Sequence, residues 1–440
     1  MCERDLTRRE FIGMTGLSLA ALTIPAIGAP PPDRYPAGRL PYRPYTLSPY
    51  DRGWIIEDCW PTLFFGEEVV PEIKHKCEKL PWARKALALM KQEAEVAMKT
   101  PAQIPMEPCG WRHDFYSRAT AEHLLHNPTK PDKYLDPLTG KYETNEAERK
   151  AWALLTHERT YRLMRSFGIL CRVTGDDRYA LWAIDGLRKA ADYCTHKEFA
   201  AKGALWYQPL YDAAELSLLA NTYSLVRKHS SLSAGDHKRI REGIFEQWMP
   251  GQIDFINKHA TGNMACYVAA CLAFCGMALE RQDWIDLALG DGSGLITLLT
   301  KCLRDDESGK TDGFWFEGTM FYHFYSVCAL VSAWESDKRY GGKVSKDANF
   351  RRRFANMFAA PASLVDGRLR LPVIGDLGAP RVMNLAAYRH LYEYAAGTLD
   401  PTRFGPLLAS IYQISKAPRV ELAALAFGPD ELPAPGGVPK

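Results

Sequence analysis

The chain has 440 residues, 47% of them hydrophobic, enough for one large domain or two to three ordinary ones with a sizeable core. Its 55 Lys and Arg against 52 Asp and Glu leave a formal charge of +3, too small for this length to imply a general attraction to nucleic acid or to anionic lipid. A local basic pocket for an acidic ligand is compatible with that balance.

At the N-terminus, "TRREFIGMTGLSLAALTIPAIGAP" pairs Arg8 and Arg9 with an apolar run from Phe11 to Ile24 and then small residues, the pattern of a twin-arginine export signal. The run is too short to span a bilayer comfortably, and small residues around Ala26 predict cleavage near Gly28. The other reading is an amphipathic leader that stays attached. Residues 1–29 are thus expected to be a signal, and the mature protein to be periplasmic or secreted without stable membrane insertion. Residues 30–80 follow as a Pro-rich arm, headed by "PPPDRYPAGRLPYRPYTLSPYDR", which lacks apolar periodicity.

From Pro81 the apolar residues take helical spacing over 81–99, 146–173, 177–194, 210–229, 235–258, 263–280, 282–304, 318–337, 347–359 and 381–396. Asp176 and Asp177, then Ser233 and Asp236, sit where helix starts are capped. Almost nothing alternates as a strand does. Helices of this length on short connectors imply antiparallel neighbours in a bundle, a solenoid or a closed ring of hairpins. No repeat of fixed length is visible, which counts against a regular solenoid. The expected domain is all-α over 81–430, with a tail at 431–440.

The stretch Pro105–Asn145 breaks the pattern. It is rich in Pro, Gly and polar residues, with Trp111, His113, Phe115 and Tyr116 at its head, and long loops of this kind inside helical domains are commonly functional. Among the 11 cysteines, Cys266, Cys271 and Cys275 share one apolar helix and read as buried free thiols. No zinc-like spacing accompanies them, and no metal or cofactor is expected.

Three stretches could carry chemistry. In "TDGFWFEGTMFYHFYS", a loop is expected to enter a helix on which Tyr322 and Tyr325 share a face, with His323 beside them and Glu317 just before. Buried phenols and imidazoles need hydrogen-bond partners, so this is either a cleft wall or a polar piece of core. In "NKHATGNMACYVAACLAF", Asn263 is either an ordinary N-cap or an amide offered to a ligand, with His259 close by. In "GALWYQPLYDAAELSLLANTYSLV", Trp206, Tyr207 and Gln208 precede a helix. Flat apolar faces beside an amide suit sugar rings, and core packing explains Trp206 equally well.

Taken together, "GWRHDFY", "RSFGILCRVTGDDRYALWAIDGLRKAADY", "WYQPLYDAAELSLLANTYSLV", "GNMACYVAACLAFCGMAL" and "DGFWFEGTMFYHFYSVCAL" resemble, in order, the heparinase II/III-like polysaccharide lyases, which include alginate and heparin-type lyases. The resemblance implies an incomplete α/α toroid, usually followed by a β-sandwich, and cleavage of uronic-acid polysaccharides by β-elimination. It makes an acidic polysaccharide or oligosaccharide the expected partner, with nucleic acid excluded and the oligomeric state open. By position, Asn263 resembles the residue that neutralises the substrate carboxylate and Tyr322 the catalytic phenol. His323 joins them as a catalytic candidate, and Gln208, His113, Trp111, Tyr207, Trp206, Tyr325, Glu317 and His259 as substrate-binding candidates.

Three departures matter. Relatives often carry histidine after the asparagine, where this chain has Met264, so Tyr322 serves as both base and acid, another histidine such as His259 substitutes, or activity is lost. The sequence ends at "FGPDELPAPGGVPK", about where the β-sandwich would begin, so that domain is expected to be absent. The places of the relatives' cysteine knuckles read "YSRAT" and "YLDPLTG", which predicts no zinc there. Two rival readings stand beside the lyase: a catalytically inactive carbohydrate-binding relative, and a glycoside hydrolase drawing its two carboxylates from Glu317, Asp312 and Asp376.

Overall fold

A computed structural model describes residues 63–436 apart from 121, 127–129, 131, 202, 306–309 and 376–382. The expected signal, the arm up to residue 62 and Asp376 lie outside the described residues. Among the described residues no helix is long and apolar enough to cross a membrane.

The helices begin and end where local chemistry permits. Helix α1 (Val69–Lys79) is followed by α2 (Pro81–Ala97), with proline at the first position of α2. The Asn145 side chain accepts from Glu148 N–H to cap α3 (Glu146–Thr174), which stops at left-handed Gly175, and Asp176 caps α4 (Asp177–Thr195). Helix α5 (Pro209–Val226) again starts on proline. A Ser233–Asp236 capping box opens α6 (Ala234–Ile240), which runs through a π-helical turn, Arg241–Glu246, into α7 (Gln247–Lys258). Then come α8 (Asn263–Leu279), α9 (Gln282–Leu289), α10 (Leu295–Lys301), α11 (Met320–Arg339), α12 (Ala348–Ala359), α13 (Arg389–Tyr394, extended by a π turn), α14 (Pro401–Ser415) and α15 (Leu422–Ala426).

These helices form the expected all-α toroid of hairpins. Helices α3, α5, α8 and α11 pack side by side as an inner row, and α4, α7, α9 and α12 return on the outside. Burial explains the sorting. Helix α8, "NMACYVAACLAFCGMAL", carries no charged residue and is buried on nearly every side, as are α5 and most of α11, whereas the outer helices bury one face only. Small residues along α8 let its neighbours approach closely. Cys266, Cys271 and Cys275 are buried free thiols, as expected. Because each inner helix is separated from the next by a return on the outside, the inner helices run parallel and present their N-termini at one end of the ring.

Several expectations need correction. The packed domain begins well before residue 81: Leu63, Phe64 and Phe65 are buried, Asn221 pairs with both backbone groups of Phe65, and α1 is part of the ring. Residues of the expected tail remain packed too, since Gly436 bonds to Pro406 and Ser410 of α14. The segment 282–304 holds two helices, broken at Gly290–Gly294. Strands are present although few: β1 (Leu125–His126), β2 (Tyr134–Leu135) and β3 (Tyr142–Glu143) make an antiparallel sheet in the irregular segment. The expected loop before Tyr322 is a strand, β5 (Thr311–Trp315), paired with β4 (Leu303–Asp305) in the register Leu303 to Trp315. Gly313, at φ +84, lies so close to the Asn356 carbonyl that a Cβ would collide with it, which is how β5 lies down on α12. A third short pair joins β6 (Arg370–Leu371) to β7 (Met383–Asn384).

The two ends of the arc are joined by short elements. Helix α1 packs against both α3 and α15, and α15 against α13. The buried Lys76 of α1 donates to the carbonyls of Gly428 (2.6 Å), Leu425 (3.3 Å) and Ala424 (3.4 Å), the open C-terminal end of α15. Arg419 grips Glu393 of α13 through two 2.7 Å bonds and lies 4.0 Å over the Trp82 ring of α2. Replacing Lys76 by Met should leave the Leu425 and Gly428 carbonyls short of a donor, break the ion pair with Glu72, and lower unfolding free energy by about 2–4 kcal/mol in chemical denaturation.

Candidate active site

The N-terminal ends of α8 and α11 meet at a carboxylate. Gly262, at φ +97, turns the chain into α8 but has no side chain to cap it. Glu317, from the turn between β5 and α11, does so instead: Oε2 accepts from Asn263 N–H at 2.9 Å and Oε1 from Asn263 Nδ2 at 2.7 Å. Trp315 Nε1 also donates to Glu317 Oε2, at 2.6 Å. Thr319 caps α11 by accepting from Tyr322 N–H, which places Tyr322 in its first turn. One turn deeper, the Tyr267 ring of α8 and the Tyr325 ring of α11 lie 4.5 Å apart. Since Asn263 and Tyr267 are four residues apart and Tyr322 and Tyr325 three, Asn263 and Tyr322 stand on the two stripes that face each other. Asn263, Glu317, Tyr322 and Tyr325 are all half-buried.

His323 corrects an expectation. Its ring is fully buried: Nδ1 accepts from Trp315 N–H (3.2 Å), and Nε2 lies 2.8 Å from the Met357 carbonyl, to which it donates. Burial, opposed by that carbonyl, lowers its pKa to about 4. With both nitrogens occupied and no path to water, His323 does not handle substrate protons; it ties β5 and α12 to α11 and so fixes Trp315.

Trp206 is a second correction. It is fully buried, and its indole N–H donates to His157 Nδ1 at 2.9 Å, so it packs in the core of the ring. His157 is held neutral, near pKa 4, by burial. The turn next to Trp206 is more informative. Asp212, in the first turn of α5, accepts from Leu205 N–H (3.0 Å) and Trp206 N–H (2.7 Å), and burial raises its pKa to about 7. The pinned turn forces Tyr207 to φ +78, an uncommon conformation for a non-glycine residue and one that concentrates at ligand sites.

Tyr207 and Trp111 line an open cleft of about 540 Å³, together with Asp114, Arg118, Glu146 and Lys150. Trp111 is exposed, and His113 beside it packs 5.0 Å from its ring and stacks on Tyr116. Gln208 is half-buried at the start of α5, with no capping bond from its side chain. His259 is exposed at the end of α7 against Phe255. The structure therefore brings together Asn263, Glu317, Tyr322 and Tyr325 at the ends of α8 and α11, and Trp111 and Tyr207 over the ends of α3 and α5, along the same end of the inner row.

Beneath Trp111 lies a charged layer that the sequence alone does not reveal. Arg162 Nη2 bonds to Glu158 at 2.6 Å and Arg112 approaches the same carboxylate at 3.7 Å. Glu215 of α5 is buried near them, its carboxyl pushed well above the ordinary range by burial and then by Glu158. Its sequence signal is an acid in the middle of a largely apolar helix. Among the described residues no group of three or more His, Cys, Asp or Glu is arranged to hold a metal ion.

No protein-family model matches the chain. It is 24% identical over 191 residues to an exo-oligoalginate lyase of Saccharophagus degradans and 26% identical over 196 residues to an alginate lyase of Stenotrophomonas maltophilia. Each match covers 40% of this chain and only 24% of the relative's length. An alginate lyase from Bacteroides ovatus superposes with a TM-score of 0.52 at 13% identity, covering 83% of this chain and 99% of that one. The structural likeness supports the all-α toroid fold.

Protonation of His323 sets a pH dependence of stability. A neutral buried His323 with a folded pKa near 4, against 6.5 unfolded, stabilises fully above pH 6.5, and that contribution is lost as pH falls towards 4. Thermal unfolding of wild type and His323→Leu should differ most at pH 7.5, with the gap shrinking by ~3 kcal/mol by pH 4.

Proposed function

We propose, from a chain that is alginate-lyase-like in fold, that this protein is an exported lyase that cleaves a uronic-acid-containing polysaccharide or oligosaccharide by β-elimination. What supports the reading is an amide and a phenol, Asn263 and Tyr322, in the first turns of two packed helices whose Tyr267 and Tyr325 rings lie 4.5 Å apart one turn deeper. Two helix N-termini also end at this place, which favours an acidic ligand.

In elimination, the C5–H bond of the uronate breaks, its electron pair forms the C4–C5 double bond, and the C4–O bond to the leaving sugar breaks. The C5 proton is weakly acidic until the neighbouring carboxylate is neutralised. Asn263 has a second Nδ2 hydrogen to donate to that carboxylate while the first is held by Glu317. With Met264 in the place where relatives often carry histidine, and His323 sealed in the core, this reading gives both transfers to Tyr322, His259 being the alternative base: as phenolate Tyr322 takes the C5 proton, and as phenol it returns one to the leaving oxygen. Trp111 and Tyr207 offer faces to further sugar rings along the chain.

Alginate is the first polymer to try, because the sequence relatives are alginate lyases; heparan sulfate and pectate follow. Incubation should produce ultraviolet absorbance from the unsaturated uronate. Tyr322→Phe should lower the rate at least ~10²-fold while leaving the unfolding midpoint nearly unchanged. New reducing ends without that absorbance would instead indicate hydrolysis, and binding without either product an inactive carbohydrate-binding protein.

A further inference from the structure

The sequence offers Glu317 as a sugar contact or as one of a pair of hydrolytic carboxylates. Its geometry fits neither. Both of its oxygens face Asn263, one on the backbone N–H and one on the side-chain amide, and Trp315 Nε1 occupies the oxygen that also holds the backbone. We infer that Glu317 is the positioning residue for Asn263, fixing which end of the amide faces the substrate; this rests on the lyase reading above.

An amide can present either oxygen or nitrogen to the cleft after a half-turn about its last bond. Only the nitrogen end can meet a uronate carboxylate. The carboxylate of Glu317 accepts and never donates, so it accepts Nδ2 and rejects Oδ1, leaving the second Nδ2 hydrogen as the donor for substrate. The charge on Glu317 also strengthens the bond that holds the amide. Glu317 is in turn fixed from behind: Trp315 is anchored through its backbone N–H to His323, whose other nitrogen is bound to Met357. Four residues, from the core of the ring to its rim, thus orient one amide.

Glu317 also caps α8, so a test must separate orientation from capping. In E317Q the amide oxygen at position 317 can keep Asn263 N–H and Trp315, and its nitrogen donates, so Asn263 makes the half-turn and meets it with Oδ1: the cap survives and the amide faces the wrong way. In the double variant N263D/E317Q the pairing is rebuilt in reverse. The new amide nitrogen at position 317 donates to the new carboxylate at position 263, while the amide oxygen at 317 accepts from the backbone N–H and from Trp315. The cap is restored, but the donor to substrate is gone.

The measurements are the melting temperature and the steady-state rate of unsaturated uronate formation from alginate. E317Q should lower kcat by about 10- to 100-fold with KM changed far less and the melting temperature nearly kept, as expected for a misplaced group, whereas N263D, which sets two carboxylates face to face, should lower the melting temperature. N263D/E317Q should regain most of the melting temperature that N263D loses and none of the lost kcat. Wild-type kcat in E317Q, or recovery of kcat together with stability in the double variant, would overturn the inference. If wild type forms no unsaturated product from alginate, heparan sulfate or pectate, the lyase reading fails by itself. The melting cycle still reports on the clamp: no regained stability in the double variant overturns the pairing whatever the activity.

Discussion

A ring of antiparallel hairpins keeps its shape only if its first and last elements meet. Here they meet through two cations. Lys76 inserts into the carbonyl end of α15, and Arg419 bridges Glu393 of α13 to the Trp82 face of α2. Each is buried or nearly so, and each is satisfied by several oxygens, the condition under which a buried charge holds structure together rather than weakening it. The outer returns set the common direction of the inner helices, and that closure ties the first of them to the last elements of the chain.

The site is a consequence of that common direction. Four N-termini share one end of the ring, and what each presents is decided by the turn before it. At α5 the turn is pinned by Asp212 and exposes Tyr207; at α8 a glycine leaves the cap open for Glu317; at α11 Thr319 places Tyr322 one step into the helix. The residues that do this are less conspicuous than the aromatics around them. His323 and Trp206 look like chemistry in the sequence and act as ballast in the structure, each committing its polar atoms to the packing of the ring.

Much of the helical plan is legible in the sequence because its punctuation is local. Asn145, Gly175, Asp176 and Ser233 mark helix ends through contacts within a few residues, and the apolar period runs clean between them. What is not legible depends on partners far along the chain. Helix α1 follows a Pro-rich stretch and has its reason to fold in residues 424–428. Strand β5 is only five residues long and owes its conformation to β4 and to the closeness of Asn356 that Gly313 permits. The sequence places Asn263 and Tyr322 at helix starts, but the carboxylate between them belongs to neither helix. Whether an imidazole in an aromatic run faces water or the Met357 carbonyl is a question of burial, and no spacing rule answers it.

Closure at Lys76 joins positions 352 residues apart. Contacts of such separation form late, because a long loop must be ordered before they can be made. During synthesis α1 emerges early and has α2 and α3 to pack against, but the carbonyl end of α15 that Lys76 takes arrives only with the last turns of the chain. Until then Lys76 is a cation without those acceptors, and the seam it closes is open to mispairing.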